Sequence, residues 1–150
     1  PEHVLIKYKS ELMDFIEKGD AFKKFVEFVD AQYGDPEVAF KPNMIPAATR
    51  VKEIRIPDKG YIQVMDAEKV GTASMLLGAG RRHTEDSIDH SAGIILNKKT
   101  GDYINSDEPI AMFHYNDETH INEAEEVFLS GIQAGEIPPD KRPIIIDVVI

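Results

Sequence analysis

Gly93-Ile94-Ile95-Leu96-Asn97-Lys98-Lys99-Thr100-Gly101-Asp102-Tyr103-Ile104-Asn105-Ser106-Asp107-Glu108-Pro109-Ile110-Ala111-Met112-Phe113 is the run that decides the fold class. Its apolar pieces, 94–96, 103–104 and 110–113, are separated by Lys98-Lys99-Thr100-Gly101-Asp102 and by a second polar turn ending in Pro109. Glycine, aspartate, asparagine and proline in those gaps are turn chemistry. Strands this short and this close together leave no room for the crossover helices of a parallel sheet, so the pattern predicts an α+β domain of short antiparallel strands.

The same pattern extends to both sides. Val51, Ile54 and Ile56, then Tyr61, Ile62 and Val64, flank Pro57-Asp58-Lys59-Gly60 and predict a hairpin. Asp66 to Leu77 predicts a helix with Asp66 as cap and Val70, Ala73, Leu76 and Leu77 on its apolar face, ended by Gly78-Ala79-Gly80. A second helix is predicted from Glu118 to Ile132, with Ile121, Ala124, Val127, Phe128 and Ile132 on one stripe. After Pro143, Ile144 to Ile150 reads as a final apolar strand.

Upstream the period changes. Leu5, Tyr8, Leu12, Phe15 and Ile16 recur at helical spacing over 4–18. Gly19 is a helix stop, Asp20 a cap, and Phe22, Phe25, Val26 and Val29 line one side of a second helix ending near Tyr33-Gly34. Pro36, Pro42 and Pro46 interrupt any helix beyond it. The expected organisation is a helical segment over 1–34, a linker over 35–48 and an α+β domain over 49–150.

The formal net charge of −10 argues against nucleic acid and anionic membrane surfaces as partners, because both repel an acidic protein. At 150 residues the chain can bury a sizeable core, roughly 70% of its unfolded surface. It has no cysteine, which excludes disulfides and thiolate metal sites and suits a reducing compartment. No signal-peptide pattern follows Pro1, and no apolar run approaches the ~20 residues of a membrane helix. A cytoplasmic location is expected. A chain that opens on Pro1-Glu2-His3 is expected to be a processed or excised piece of something longer.

The chemical motifs are sparse. Gly78-Ala79-Gly80-Arg81-Arg82 has anion-cradle residues but lacks the third glycine of a dinucleotide fingerprint and the Gly-Lys-Ser/Thr of a P-loop; a glycine helix stop accounts for it. His83, His90, His114 and His120 lack the i, i+4 pair of a zinc enzyme, so no metal is expected. No serine sits in a nucleophile elbow, and acidic pairs such as Glu85/Asp86 and Glu125/Glu126 are common enough to be chance. The Gly101-Asp102 turn is similar to that of lipoyl and biotinyl carrier domains, but Lys98 and Lys99 lie beside it without the flanking residues of a carrier lysine. A carrier or binding module is the alternative reading.

Several blocks, in order, resemble one family. Leu76-Leu77-Gly78-Ala79-Gly80-Arg81, Glu85-Asp86-x-Ile88-Asp89, Ala92-Gly93-Ile94, Lys98-Lys99-x-Gly101-Asp102 and Glu108-Pro109-Ile110-Ala111 look like the C-terminal domain of the pyrimidine-nucleoside and thymidine phosphorylases. Gln32-Tyr33-Gly34-Asp35-Pro36 is similar to the segment that enters that domain. The likeness covers roughly residues 20–130.

The resemblance implies a helical pair followed by a small α/β-hammerhead, barrel-sandwich-like domain with two helices. It implies a pentosyltransferase that cleaves pyrimidine nucleosides with phosphate to free base and pentose 1-phosphate. It also implies a homodimer, no organic cofactor, and remaining N-terminal domains as this chain's partner. The family's phosphate- and base-binding segments lie upstream of the matched region, so no catalytic residue carries over and the chain alone is expected to be inactive. Gly80, Arg81, Arg82, Thr84, Glu85 and Asp86 fall in a segment near the family's interdomain cleft and are the candidate closure loop. Part of 80–87 is expected to be mobile until closure orders it; the alternative is a rigid turn held by Thr84, Asp86 and Asp89.

Overall fold

The computed structural model of the chain describes residues 2–140, with side chains from Lys7 onward. The strand expected over Ile144–Ile150 lies outside the described residues. The chain divides into two compact units between Ile45 and Pro46.

The first unit is helical. Helix α1 (Glu2–Glu17) and helix α2 (Asp20–Ala31) are joined at Gly19, whose φ of 77° is a left-handed angle that glycine adopts without strain. Beyond α2 the Gly34 N–H donates to the Val29 carbonyl and the Tyr33 N–H to the Asp30 carbonyl. That is a Schellman end with Tyr33, at φ 62°, in the position usually given to glycine. The proline-rich stretch is not bare linker: it holds helix α3 (Glu37–Phe40) and a 3-10 turn (Pro42–Met44), and Phe40 packs edge-on against Phe22 at 5.2 Å. No residue between Lys7 and Ile45 is buried.

The second unit has the α+β architecture that the strand spacing predicts; among the described residues it is built as two three-stranded antiparallel sheets with no closed barrel. The first sheet runs β1 (Arg50–Ile54), β5 (Ala111–Tyr115), β3 (Gly93–Leu96); the second runs β4 (Tyr103–Ile104), β2 (Gly60–Met65), β6 (Ile132–Gly135). Central strand β5 buries Ala111, Phe113 and Tyr115 on one face, the period-2 signature of a half-covered sheet. Helices α4 (Ala67–Ser74) and α5 (Ile121–Ser130) supply Ala73, Ala124 and Phe128 to the same core. Phe113 and Phe128 meet edge to face at 5.3 Å. The Asp66 carboxylate caps α4, accepting from the Glu68 and Lys69 N–H groups.

The expected hairpin and the expected end of the second helix need correction. The segments on either side of Pro57-Asp58-Lys59-Gly60 do not form a hairpin: β1 pairs with β5, from Arg50↔Tyr115 to Ile54↔Ala111, while β2 pairs with β4 and β6. Gly60 is there for close approach. A Cβ on it would meet the Gly135 carbonyl oxygen at 2.5 Å, so it lets β6 lie against β2. The Lys98–Asp102 turn likewise joins different sheets, because β3 pairs with β5 and β4 with β2. Ile132 belongs to β6 and not to the helix before it. The chain breaks at Gly131, where a Cβ would meet Lys69 Cβ at 2.7 Å.

Candidate functional site

The glycines after α4 shape the site. The last turn widens into a π turn (Met75–Ala79) that Gly78 ends at φ 108°. Gly80 then leaves extended, with Met75 Cβ 3.2 Å from where its own Cβ would stand. This throws residues 81–91 out as a loop over the start of α5. Between loop and helix lies a cleft of about 420 Å³, lined by Leu76, Leu77, Arg82, His83, Asp86, Asp117 and His120 among others.

Of the candidate closure residues, Asp86 holds the loop's shape. Its carboxylate accepts from the Arg82 and His83 N–H groups, both at 2.9 Å. The His83 N–H and then the Arg82 N–H keep its carboxyl below the ordinary value of 3.8. Arg82 reaches across the cleft, and its Nη1 donates to His120 Nε2 at 2.8 Å. His120 Nδ1 faces a Glu123 carboxylate oxygen at 2.9 Å. With Arg82 able only to donate, this geometry fits the tautomer that accepts at Nε2 and donates from Nδ1 to Glu123. Arg81, Thr84 and Glu85 are exposed, and among the described residues their side chains make no hydrogen bond or ion pair. Thr84 is not the cap; Asp86 takes that place because its carboxylate reaches back over two N–H groups.

The far end of the loop is anchored separately. The Asp89 N–H donates to the Gly78 carbonyl at 2.9 Å. One Asp89 carboxylate oxygen accepts from the Ser91 N–H and hydroxyl, and the other from Asn116 Nδ2 at 2.6 Å. The Ser91 hydroxyl first, then the Asn116 amide, lower the Asp89 carboxyl below 3.8. Asn116 Oδ1 in turn accepts from the N–H and hydroxyl of Thr49, so one amide ties the loop to the chain entering β1. Asp117 accepts from the hydroxyl and N–H of Thr119, which lower its carboxyl in that order.

The carboxylates of the cleft are thus occupied by local donors, and among the described residues the exposed Arg81 guanidinium has no hydrogen-bond or ion-pair partner. Such a surface can dock a partner. Sequence reasoning missed Asn116, Asp117 and Thr49, and it weighed His120 only as a metal ligand. The polar run 116–119 between strand and helix was the available signal, but nothing in its spacing says that it faces 82–91. At the carrier-like turn, Lys98 Nζ lies 2.8 Å from a Glu108 carboxylate and donates to the Tyr103 carbonyl at 3.0 Å. That lysine braces the turn.

Comparison with known proteins gives a consistent result. Residues 61–134 match the family described as pyrimidine nucleoside phosphorylase C-terminal domain. The chain is 42% identical over 107 residues to the pyrimidine-nucleoside phosphorylase of Staphylococcus haemolyticus, covering 71% of this chain and 25% of that protein. It is 41% identical over 105 residues to the Staphylococcus epidermidis enzyme of that name, 70% of this chain and 24% of the relative. The Bacillus subtilis enzyme is 34% identical over 110 residues, 73% of this chain and 25% of the relative. The chain spans about a quarter of the length of these curated relatives.

Proposed function

We propose that the chain, whose residues 61–134 match the pyrimidine nucleoside phosphorylase C-terminal domain, is the accessory quarter of such an enzyme. The parent reaction is phosphorolysis of a pyrimidine nucleoside to free base and pentose 1-phosphate. It serves pyrimidine salvage, with phosphate as co-substrate and no organic cofactor. The observation that carries this reading is 34–42% identity, over about 70% of this chain, to enzymes of that name.

In this reading the chain does no chemistry alone, because the phosphate- and base-binding segments belong to the remaining N-terminal domains. Loop 80–87 acts in closure, with Arg81 reaching carboxylates or phosphate across the interdomain gap. The parent is a cytoplasmic homodimer; the absence of cysteine suits that compartment. The test is direct: the purified chain, given uridine or thymidine with phosphate, releases no uracil or thymine above the protein-free rate. Protein-dependent release would overturn the assignment of the chemistry to the other domains.

A further inference from the structure

The central strand of the first sheet runs out at a residue that serves both of its neighbours. Strand β5 ends with Tyr115 opposite Arg50 of β1, and its His114 lies opposite Gly93 of β3. Extending both antiparallel registers past the strand ends puts Asn116 opposite Thr49 on one side and Ser91 on the other. The Asn116 side chain takes over there from the backbone ladder. Its Oδ1 accepts from the Thr49 N–H and hydroxyl, both at 2.8 Å. Its Nδ2 donates to the Asp89 carboxylate at 2.6 Å and to the Ser91 hydroxyl at 2.9 Å. The Thr49 N–H can only donate and an ionised carboxylate can only accept, so the two ends of the amide cannot be exchanged.

The two sides lead to different places. The chain enters the second unit at Pro46, and Pro46 to Ala48 belong to no helix or strand. Thr49 is the next residue, bonded to Asn116 by both its N–H and its hydroxyl. On the other side, the Asp89 N–H donates to the Gly78 carbonyl at 2.9 Å. A Cβ on Gly78 would stand 3.4 Å from the Asp89 Cβ, so residues 78 and 89 meet at the base of the loop that carries 80–87. One planar amide is therefore common to the entry of the unit and to the base of the loop.

We propose that Asn116 is a positioning residue that couples the chain entering the second unit to the base of loop 80–87. A displacement of Thr49 passes through the amide to Asp89 and from there to Gly78, so the loop follows the entering chain. Its use in closure rests on the phosphorylase reading above. The residue type is specific. A carboxylate at 116 keeps the acceptor for Thr49 but meets Asp89 with like charge, and alanine keeps neither end.

Amide exchange in the full chain tests the coupling without reference to any activity. Asn116→Ala should speed exchange of both the Thr49 and the Asp89 amides by about tenfold, and Asn116→Asp that of Asp89 alone. Protection retained at Phe113 shows that the sheet is intact in each variant. Thr49→Val removes a hydroxyl that bonds to Asn116 and, among the described residues, to nothing in the loop. It should speed the Asp89 amide about threefold when Asn116 is present, and leave it unchanged in Asn116→Ala. No effect of Thr49→Val, or an equal effect in both backgrounds, would overturn the coupling. In the intact parent enzyme, Asn116→Ala and Asn116→Asp should both lower kcat about tenfold and shift KM for the nucleoside with it. A fall in kcat at constant KM is what a smaller folded fraction gives, and would overturn the positioning role. An unsubstituted enzyme that releases no base would overturn the phosphorylase reading instead, since the exchange result stands without it.

Discussion

Asp89 shows how single residues set the cleft. Its carboxylate gathers the Ser91 N–H and hydroxyl and the Asn116 amide, and its carboxyl sits below the ordinary 3.8 for that reason. A group whose folded value is depressed contributes stability that is fully present above its unfolded value. That contribution is lost as the pH falls through the folded value. Asp89→Asn should therefore lower stability near neutral pH, and its deficit should shrink as the pH drops below 3.8. Denaturant titrations near pH 7 and near pH 3 check this; an equal deficit at both would assign the loss to shape and not to charge. The roles of Asp86 and Asp89 were legible in the sequence, because an aspartate in a turn finds N–H donors within four residues. The bond from Asn116 spans 27 positions, and local reading has no access to it.

Among the elements, α2 makes the clearest demand. Its apolar residues Phe22, Phe25 and Phe28 are 43%, 50% and 61% exposed, and α1 adds Leu12, Phe15 and Ile16, all more than half exposed. Among the described residues the helix pair buries none, and an exposed apolar face of this kind favours association. The chain should self-associate through the α2 face carrying Phe22, Phe25, Val26 and Val29. Light scattering should give a mass that rises with concentration, and Phe25→Glu should return it toward the monomer; a clean monomer at high concentration would refute this. Helices α1, α2, α4 and α5 were readable because their apolar period and caps are local. Strand partnership was not. Pro57-Asp58-Lys59-Gly60 signals a turn equally well whether the chain folds back on itself or crosses to the other sheet. Nor did Ile132-Gln133-Ala134-Gly135 have the β-branched density that marks a strand.

For the whole molecule, the parts divide the work. The second unit has a closed core around Phe113, Phe128, Ile54 and Ile62, and its cleft is held in shape by Asp86, Asp89 and Asn116. The matched family domain falls entirely within that unit. The ordered blocks from Leu76 to Ala111 made the family readable, because turn-forming residues and short apolar runs alternate through them in a fixed order. The measurement closest to the central claim is a domain exchange. The first three quarters of the Staphylococcus haemolyticus relative would be joined to this chain in place of its own C-terminal region, and phosphate-dependent release of base followed. The account predicts turnover within about tenfold of the relative's own, equivalent to about 1.4 kcal/mol in the barrier. A folded chimera that releases no base would contradict it.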